Sequence, residues 1–206
     1  MKTVLILTGP QGSGNHVWSK IFAMHPRVYG WQALLEQYWI GHDKEPFADC
    51  WENPSLPSQF PWSRADWFVT SMSVPYMLNG ESTVVDFKGF VRGIQAQGHR
   101  VKFAILGRDK NIVDLQQQRV RGGVTLPQAL TEFEQLASPV FLSYELLQLY
   151  GSKYLESVSQ QLGFPIDYQN PMLKEILKED TNSKYFKPVP SQATDALVHA
   201  TSAKWR

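Results

Sequence analysis

Thr3-Val-Leu-Ile-Leu-Thr8, followed by Gly9-Pro-Gln-Gly-Ser-Gly-Asn-His16, decides how this chain folds. The apolar, β-branched run has the length of a buried strand and ends in a glycine-rich turn. The next residues, Val17-Trp-Ser-Lys-Ile-Phe-Ala-Met24, are those of a helix facing a core. Strand, glycine-rich turn and helix together make a phosphate cradle: successive backbone N–H groups point inward, and the positive end of the helix dipole faces the anion. The Walker pattern G-x-x-x-x-G-K-[ST] is matched at Gly9 and Gly14, but Asn15 stands where the Lys belongs and His16 where the Ser/Thr belongs. The loop keeps the outline of an ATPase loop without the side chains that hold the β/γ-phosphates and Mg²⁺. No metal is expected.

At 206 residues the chain fits a single domain, numbered 1–206, with room for a sizeable core. A formal net charge of +1 argues against a nucleic-acid partner, which usually demands a basic face. Cys50 is the only cysteine, so no internal disulfide is possible and a reducing compartment is expected. The opening apolar run is too short for a signal peptide or a membrane span, and no later run approaches the length of one. These features predict a soluble, cytoplasmic protein.

Further along, strands are predicted over residues 66–73, 101–106 and 139–143. Helices are expected over 15–24, from an N-cap at Asp86 to a C-cap glycine at Gly98, over 112–120, from Thr125 to about Ala137, over 145–162, over 172–179 and over 193–203. Strands separated by helices imply βαβ units and a mainly parallel sheet covered on both faces, a three-layer α/β/α fold. Residues 27–65 resist assignment. Leu34, Leu35, Tyr38 and Trp39 suit a helix, but Pro46, Pro54, Pro57 and Pro61 break the stretch beyond it. Trp31, Trp39, Trp51, Trp62 and Trp67 crowd this stretch, so an ordered lid or acceptor-site wall is expected rather than disorder.

With the loop read this way, the chain resembles the sulfotransferases that use 3′-phosphoadenosine 5′-phosphosulfate (PAPS). The family has a P-loop, nucleotide-kinase type of fold without the Walker Lys. Its 5′-phosphosulfate loop reads Gly-Pro-Gln-Lys-Thr-Gly-Thr-Thr in some members, and Gly9-Pro-Gln-Gly-Ser-Gly-Asn-His16 is similar. It departs at Gly12, where the family has its catalytic Lys, and at Asn15 and His16, where the family has Thr. Arg108, at the end of a strand, matches the family's 3′-phosphate Arg, with Gln116 eight residues on in place of a Ser. Ser143-Tyr-Glu-Leu-Leu147 and Gln161-Leu-Gly-Phe-Pro165 resemble two further family motifs. Ser73-Val-Pro-Tyr76 stands where cytosolic members carry Thr-His-Leu-Pro-Tyr, with Ser73 in place of a catalytic His.

The resemblance implies sulfuryl transfer from PAPS to a hydroxyl or amine of a small-molecule, lipid or glycan acceptor, leaving 3′-phosphoadenosine 5′-phosphate (PAP). It implies a nucleotide site made of Pro10, Gln11, Gly12, Ser13, Gly14, Asn15, His16, Arg108 and Gln116. Bland readings stand beside these: a tight turn for the glycines, an N-cap for Ser13, a surface histidine for His16, an ion pair with Asp109 for Arg108. Arg119, Arg121, Lys184 and Lys187 are further candidates for the nucleotide, with a solvated surface as the alternative. Sulfuryl transfer also needs a base near the acceptor oxygen. His42 and Asp43, in Gly41-His-Asp-Lys-Glu45, are the candidates, with His16 beside the anion and Glu36 behind them. The aromatic cluster is either a platform for a ring or core. An inactive nucleotide- or anion-binding module is the main competing function, since Gly12, Gln116 and Ser73 all depart where the family does chemistry. A P-loop nucleotide kinase is disfavoured by the missing Lys and Mg²⁺ ligand.

Overall fold

The apolar run at the N-terminus forms β1 (Thr3–Gly9), every residue of which is buried. Its alternate side chains enter two separate cores, as the two-residue period of a strand requires. Val4 and Ile6 pack with Phe47, Trp51, Phe68 and Phe90, while Leu5 and Leu7 pack with Trp18, Phe22, Leu155 and Phe164. The computed structural model describes residues 1–37, 40–78, 81–121 and 123–185.

After β1 come α1 (Asn15–Ala23), β2 (Val28–Tyr29), α2 (Ala33–Glu36), α3 (Ala48–Glu52) and β3 (Trp67–Ser73). A short hairpin, β4 (Tyr76–Leu78) with β5 (Glu81–Thr83), precedes α4 (Phe87–Ala96) and β6 (Arg100–Gly107). α5 (Lys110–Arg121) and α6 (Leu126–Phe133) lead to β7 (Val140–Ser143), followed by α7 (Tyr144–Tyr150), α8 (Ser152–Leu162) and α9 (Pro171–Lys178). The five longer-range strands pair in the order β2-β3-β1-β6-β7, and every pair is parallel. α1 and α8 cover one face; α3, α4 and α6 cover the other. This is the three-layer α/β/α arrangement that the alternation of strands and helices predicts.

The strand order places the site. From β1 the chain turns outward to β2, whereas from the adjacent β6 it turns the opposite way to β7. In open α/β sheets the crevice at the carboxyl ends of two such diverging strands is where ligands bind. The glycine-rich loop leaves β1, and Arg108 leaves β6, at that crevice.

Several elements differ from the expectations. The helix predicted over 145–162 is two helices, α7 and α8, broken at Gly151, whose φ of 51° and ψ of −126° no helix accommodates. The break lets both Leu147 and Leu155 reach the same core. The span 27–65 is built of short helices and tight turns, and Phe47, Cys50 and Trp51 within it are buried core residues. Trp51 donates its indole N–H to Thr70 Oγ1 at 3.0 Å. The hairpin β4–β5 and the two-residue β2 were not expected. Tyr38, Trp39, Asn79, Gly80 and the helix predicted over 193–203 lie outside the described residues. Asp86 caps α4 as predicted, its Oδ1 accepting the Gly89 amide at 2.8 Å.

Among the described residues no helix is long and apolar enough to cross a membrane.

Gly93 tests how closely α4 is held to the span beneath it. Propensity alone favours Ala over Gly inside a helix by about 1 kcal/mol. A Cβ at Gly93, however, would stand 2.3 Å from the backbone oxygen of Pro54, which cannot swing aside as a side chain would. Gly93→Ala is therefore expected to destabilise the protein by roughly 1–3 kcal/mol. A urea midpoint that stays put or rises would show that the two backbones separate freely.

Candidate functional site

The loop between β1 and α1 is held from outside by two of its carbonyls. Gln117, fully buried on α5, donates from Nε2 to the Gln11 carbonyl at 2.9 Å, while its Oε1 accepts the Thr125 amide at 2.7 Å. Arg108 donates from Nη1 to the Gly12 carbonyl at 3.0 Å. In a planar trans peptide the carbonyl and the following N–H point in opposite directions. Tying the Gln11 carbonyl to α5 therefore turns the Gly12 amide away from α5. Gly12 and Gly14 have φ of +92° and +101°, the left-handed region that glycine enters without a steric cost.

Among the described residues the amides of Gln11, Gly12, Gly14 and Asn15 find no acceptor. α1 has no side-chain cap either. Ser13 is the exception in the loop. Its amide donates to the Pro10 carbonyl at 3.1 Å and its hydroxyl to Asn15 Oδ1 at 3.0 Å. Asn15 Nδ2 is left as a buried donor without a hydrogen-bond partner among the described residues. Open amides, a buried amide donor and a helix N-terminus form a donor set suited to a phosphate.

Arg108 makes no ion pair with Asp109. Asp109 instead caps α5, its Oδ1 accepting the amides of Asn111 and Ile112. The Arg108 guanidinium donates to Asn182 Oδ1 at 2.7 Å and Thr181 Oγ1 at 3.0 Å as well as to Gly12. It lies between two aromatic rings, 4.7 Å from the Tyr144 centroid and 5.5 Å from that of Tyr185. Such stacking suits a weakly hydrated, planar cation.

Gln116 packs against the loop so closely that a Cβ on Gly12 would stand 2.8 Å from its Oε1. The two departures from the sulfotransferase pattern are therefore one adjustment in space. The larger Gln116 fills the room beside Gly12, and the positive φ there disfavours any side chain.

On the far side of the loop the structure brings His16 and His42 together. Their ring centroids are 5.2 Å apart, and Trp31 completes a triangle at 5.1 Å from His16 and 5.2 Å from His42. His16 Nε2 lies 3.1 Å from the Ile40 carbonyl. Burial lowers the His16 pKa below its ordinary value, against the raising effect of the Ile40 carbonyl and with Lys20 adding to the lowering, which favours the neutral ring. A neutral imidazole is the form able to accept a proton.

The remaining candidates fall elsewhere. Asp43 faces solvent, its carboxylate 65% exposed and 3.1 Å from Lys44 Nζ. Glu36 is exposed at the end of α2. Ser73 is buried at the end of β3, in register with Gly9. The Arg119 guanidinium lies 5.7 Å from the Tyr185 ring. The side chains of Arg121 and Lys184, and the whole of Lys187, lie outside the described residues.

Sequence reasoning misses Gln117 and Glu45. Gln117 lies four residues after the buried Val113, and that helical spacing marks the inward face. Glu45 reads as one more charge in an exposed run, yet it is 4% exposed, accepts the Phe47 amide at 2.7 Å and lies beside Thr70 and Ser71 of β3. Burial pushes its carboxyl up to about 8. Burial, reinforced by Glu45 and Asp49, also pushes the Cys50 thiol up to about 12, which makes it a poor nucleophile at neutral pH.

The raised Glu45 value has a pH signature. A carboxyl whose folded pKa lies above its unfolded one binds its proton more tightly in the folded state. The stability it contributes is complete below about pH 4.5 and is lost as pH rises to about 8. Glu45→Gln is expected to flatten the decline in stability between pH 5 and 8, by as much as roughly 1.4 kcal/mol per pH unit. Urea denaturation of both proteins across that range checks it; parallel curves would place the Glu45 carboxyl in contact with water.

No protein family model matches the sequence, and no curated protein matches it. Among solved structures, the chain is similar to the sulfotransferase domain of the Synechococcus PCC 7002 olefin synthase. The identity is 11%, over 90% of this chain and 83% of that one, with a TM-score of 0.42. It is also similar to APE1195, at 16% identity over 78% of this chain and 96% of that one, again with a TM-score of 0.42. The chemistry of the site therefore rests on its own residues.

Proposed function

We propose that this chain binds PAPS at the β1–β6 crevice and transfers its sulfuryl group to a hydroxyl or amine of a small-molecule, lipid or glycan acceptor. The observation that carries the reading is Arg108. It leaves β6 at the switch point of the sheet and reaches across 96 residues of sequence to the carbonyl of Gly12 in the loop. A phosphate-binding loop and a guanidinium fork at one crevice suit a ligand with two anionic groups.

The residues present fit such a nucleotide in most respects. The open amides of the loop and Asn15 Nδ2 would hold the 5′ anion, and Arg108 would serve a second phosphate. The bound nucleotide supplies the activated sulfuryl group. The chain's own work is then to neutralise charge and to move one proton. Loop amides and the α1 dipole favour the developing negative charge on the leaving phosphate. His16 and His42, paired beside the loop, would accept the acceptor's proton.

One observation favours a second reading, in which the chain binds the nucleotide but does not transfer from it. Gly12 supplies no cation, and Arg108 is tied to Gly12, Thr181 and Asn182.

Thermal denaturation with PAP or with ATP and Mg²⁺ tests the binding common to both readings. PAP at a hundredfold excess over its Kd is expected to stabilise the chain by about 2.7 kcal/mol, and Mg-ATP to do little. Stabilisation by Mg-ATP alone would overturn the proposal. Arg108→Lys keeps the charge but loses the fork, and is expected to weaken PAP binding by roughly tenfold. Transfer of labelled sulfate from PAPS to a panel of acceptors separates the two readings. If transfer occurs, His42→Gln should slow it by roughly a hundredfold or more.

A further inference from the structure

The crossover from β6 to β7 leaves part of the sheet open. Between β6, α5, α6 and the edge strand β7 lies a slot of about 570 Å³. Val113, Leu126, Leu130, Phe133, Phe141 and Ile105 make most of its wall. Leu130 and Phe141 stay 55% and 72% exposed, an unusual state for large apolar side chains facing the same cleft. The end nearest the carboxyl edge of the sheet has a different character. Pro10 of the glycine-rich loop, Arg108 and Lys110 line it, the lysine paired with Asp114 at 2.5 Å.

We propose that this slot holds the unbranched aliphatic tail of an amphiphile whose anionic head lies toward the loop, beside Arg108 and Lys110. The placement of the head rests on the reading of the loop as an anion site; the placement of the tail does not. Arg108 and the open amides of the loop beyond it favour an anionic head over a cationic one, since Asp114 neutralises Lys110 and leaves Glu134 as the acid of the wall. The wall excludes the other obvious occupant. A nucleobase carries several polar edge atoms, and the apolar side chains here offer them no partners, which makes their burial costly. An aliphatic chain has no such atoms, and its volume suits a cleft of this size. The slot and the loop share Pro10 and Arg108, so an amphiphile seated this way meets the nucleotide's second phosphate at the same guanidinium.

A series of straight-chain carboxylates from hexanoate to dodecanoate, titrated calorimetrically below micelle formation, tests the assignment. Affinity is expected to rise roughly fourfold per added methylene until the slot is full, and decanoate to bind more tightly than decanol. Leu130→Trp fills the slot from an exposed position and should weaken dodecanoate binding by roughly tenfold or more, with the PAP thermal shift retained. Phe141→Trp provides a second measurement independent of that variant's folding, since a terminally brominated undecanoate should quench its added fluorescence. A flat chain-length series, unchanged binding by Leu130→Trp, or no quenching at position 141 overturns the tail site. Equal binding of decanoate and decanol overturns the placement of the head. Loss of the PAP shift in the wild type, with the chain-length series intact, overturns the loop reading and leaves the tail site standing.

Discussion

The site depends on the fastening of two carbonyls. A glycine-rich turn with three residues that lack a Cβ has many accessible shapes, and a cradle for an anion needs one of them. Gln117 and Arg108 remove that freedom from outside by taking the carbonyls of Gln11 and Gly12. Because each peptide is a rigid plane, holding the oxygen fixes the direction of the amide that comes after it. The strands bring the two anchors into place. β6 lies against β1 in parallel register, and α5, which starts three residues after β6, carries Gln117 back over the loop.

The two flanks of the loop differ in character. Toward β6 the groups are cationic and aromatic, with Arg108 between Tyr144 and Tyr185. Toward β3 they are titratable: the half-buried His16 and His42 around Trp31, and the buried Glu45 against β3 itself. Burial favours the neutral imidazole of His16 and the protonated form of Glu45. A nucleotide with its anions toward Arg108 and a neutral acceptor toward the imidazoles matches that division. The polarity of the crevice thus gives a direction to the proposed reaction.

Much of the fold was legible because the signals were local. The run from Thr3 to Leu7 is apolar without a break, which is how a strand covered on both faces reads. Asp86 announces the start of α4 as an N-cap, and Gly98 its end. The loop and Arg108 were legible for a different reason: glycine and arginine are read by what their chemistry allows, whatever surrounds them. What escaped was set by tertiary packing. Val28 and Tyr29 form a strand only because β3 lies beside them, and two residues carry no period. Glu45 looks like a surface charge until Phe47, Cys50 and Trp51 sink around it. The Asn79-Gly80 pair between two short runs of strand-forming residues was a hairpin signal of a familiar kind, and there the local pattern was present but outweighed by the helix after it.

Arg108 also joins the loop to the far end of the described chain. Its Nη2 and Nε hold Thr181 and Asn182, and Tyr144 reinforces the seam by accepting the amide and hydroxyl of Thr181. A guanidinium has five N–H groups, and among the described residues Gly12, Thr181 and Asn182 take three of them, which leaves one on each Nη for a phosphate. An anion and the turn at residues 181–185 then share one guanidinium, so their occupancies are thermodynamically linked. A ligand that loosens this seam is itself weakened by whatever tightens it, and by an equal free energy. The turn at 181–185, far from the loop in sequence, thereby holds the Arg108 guanidinium in one orientation with an N–H on each Nη open toward an anion.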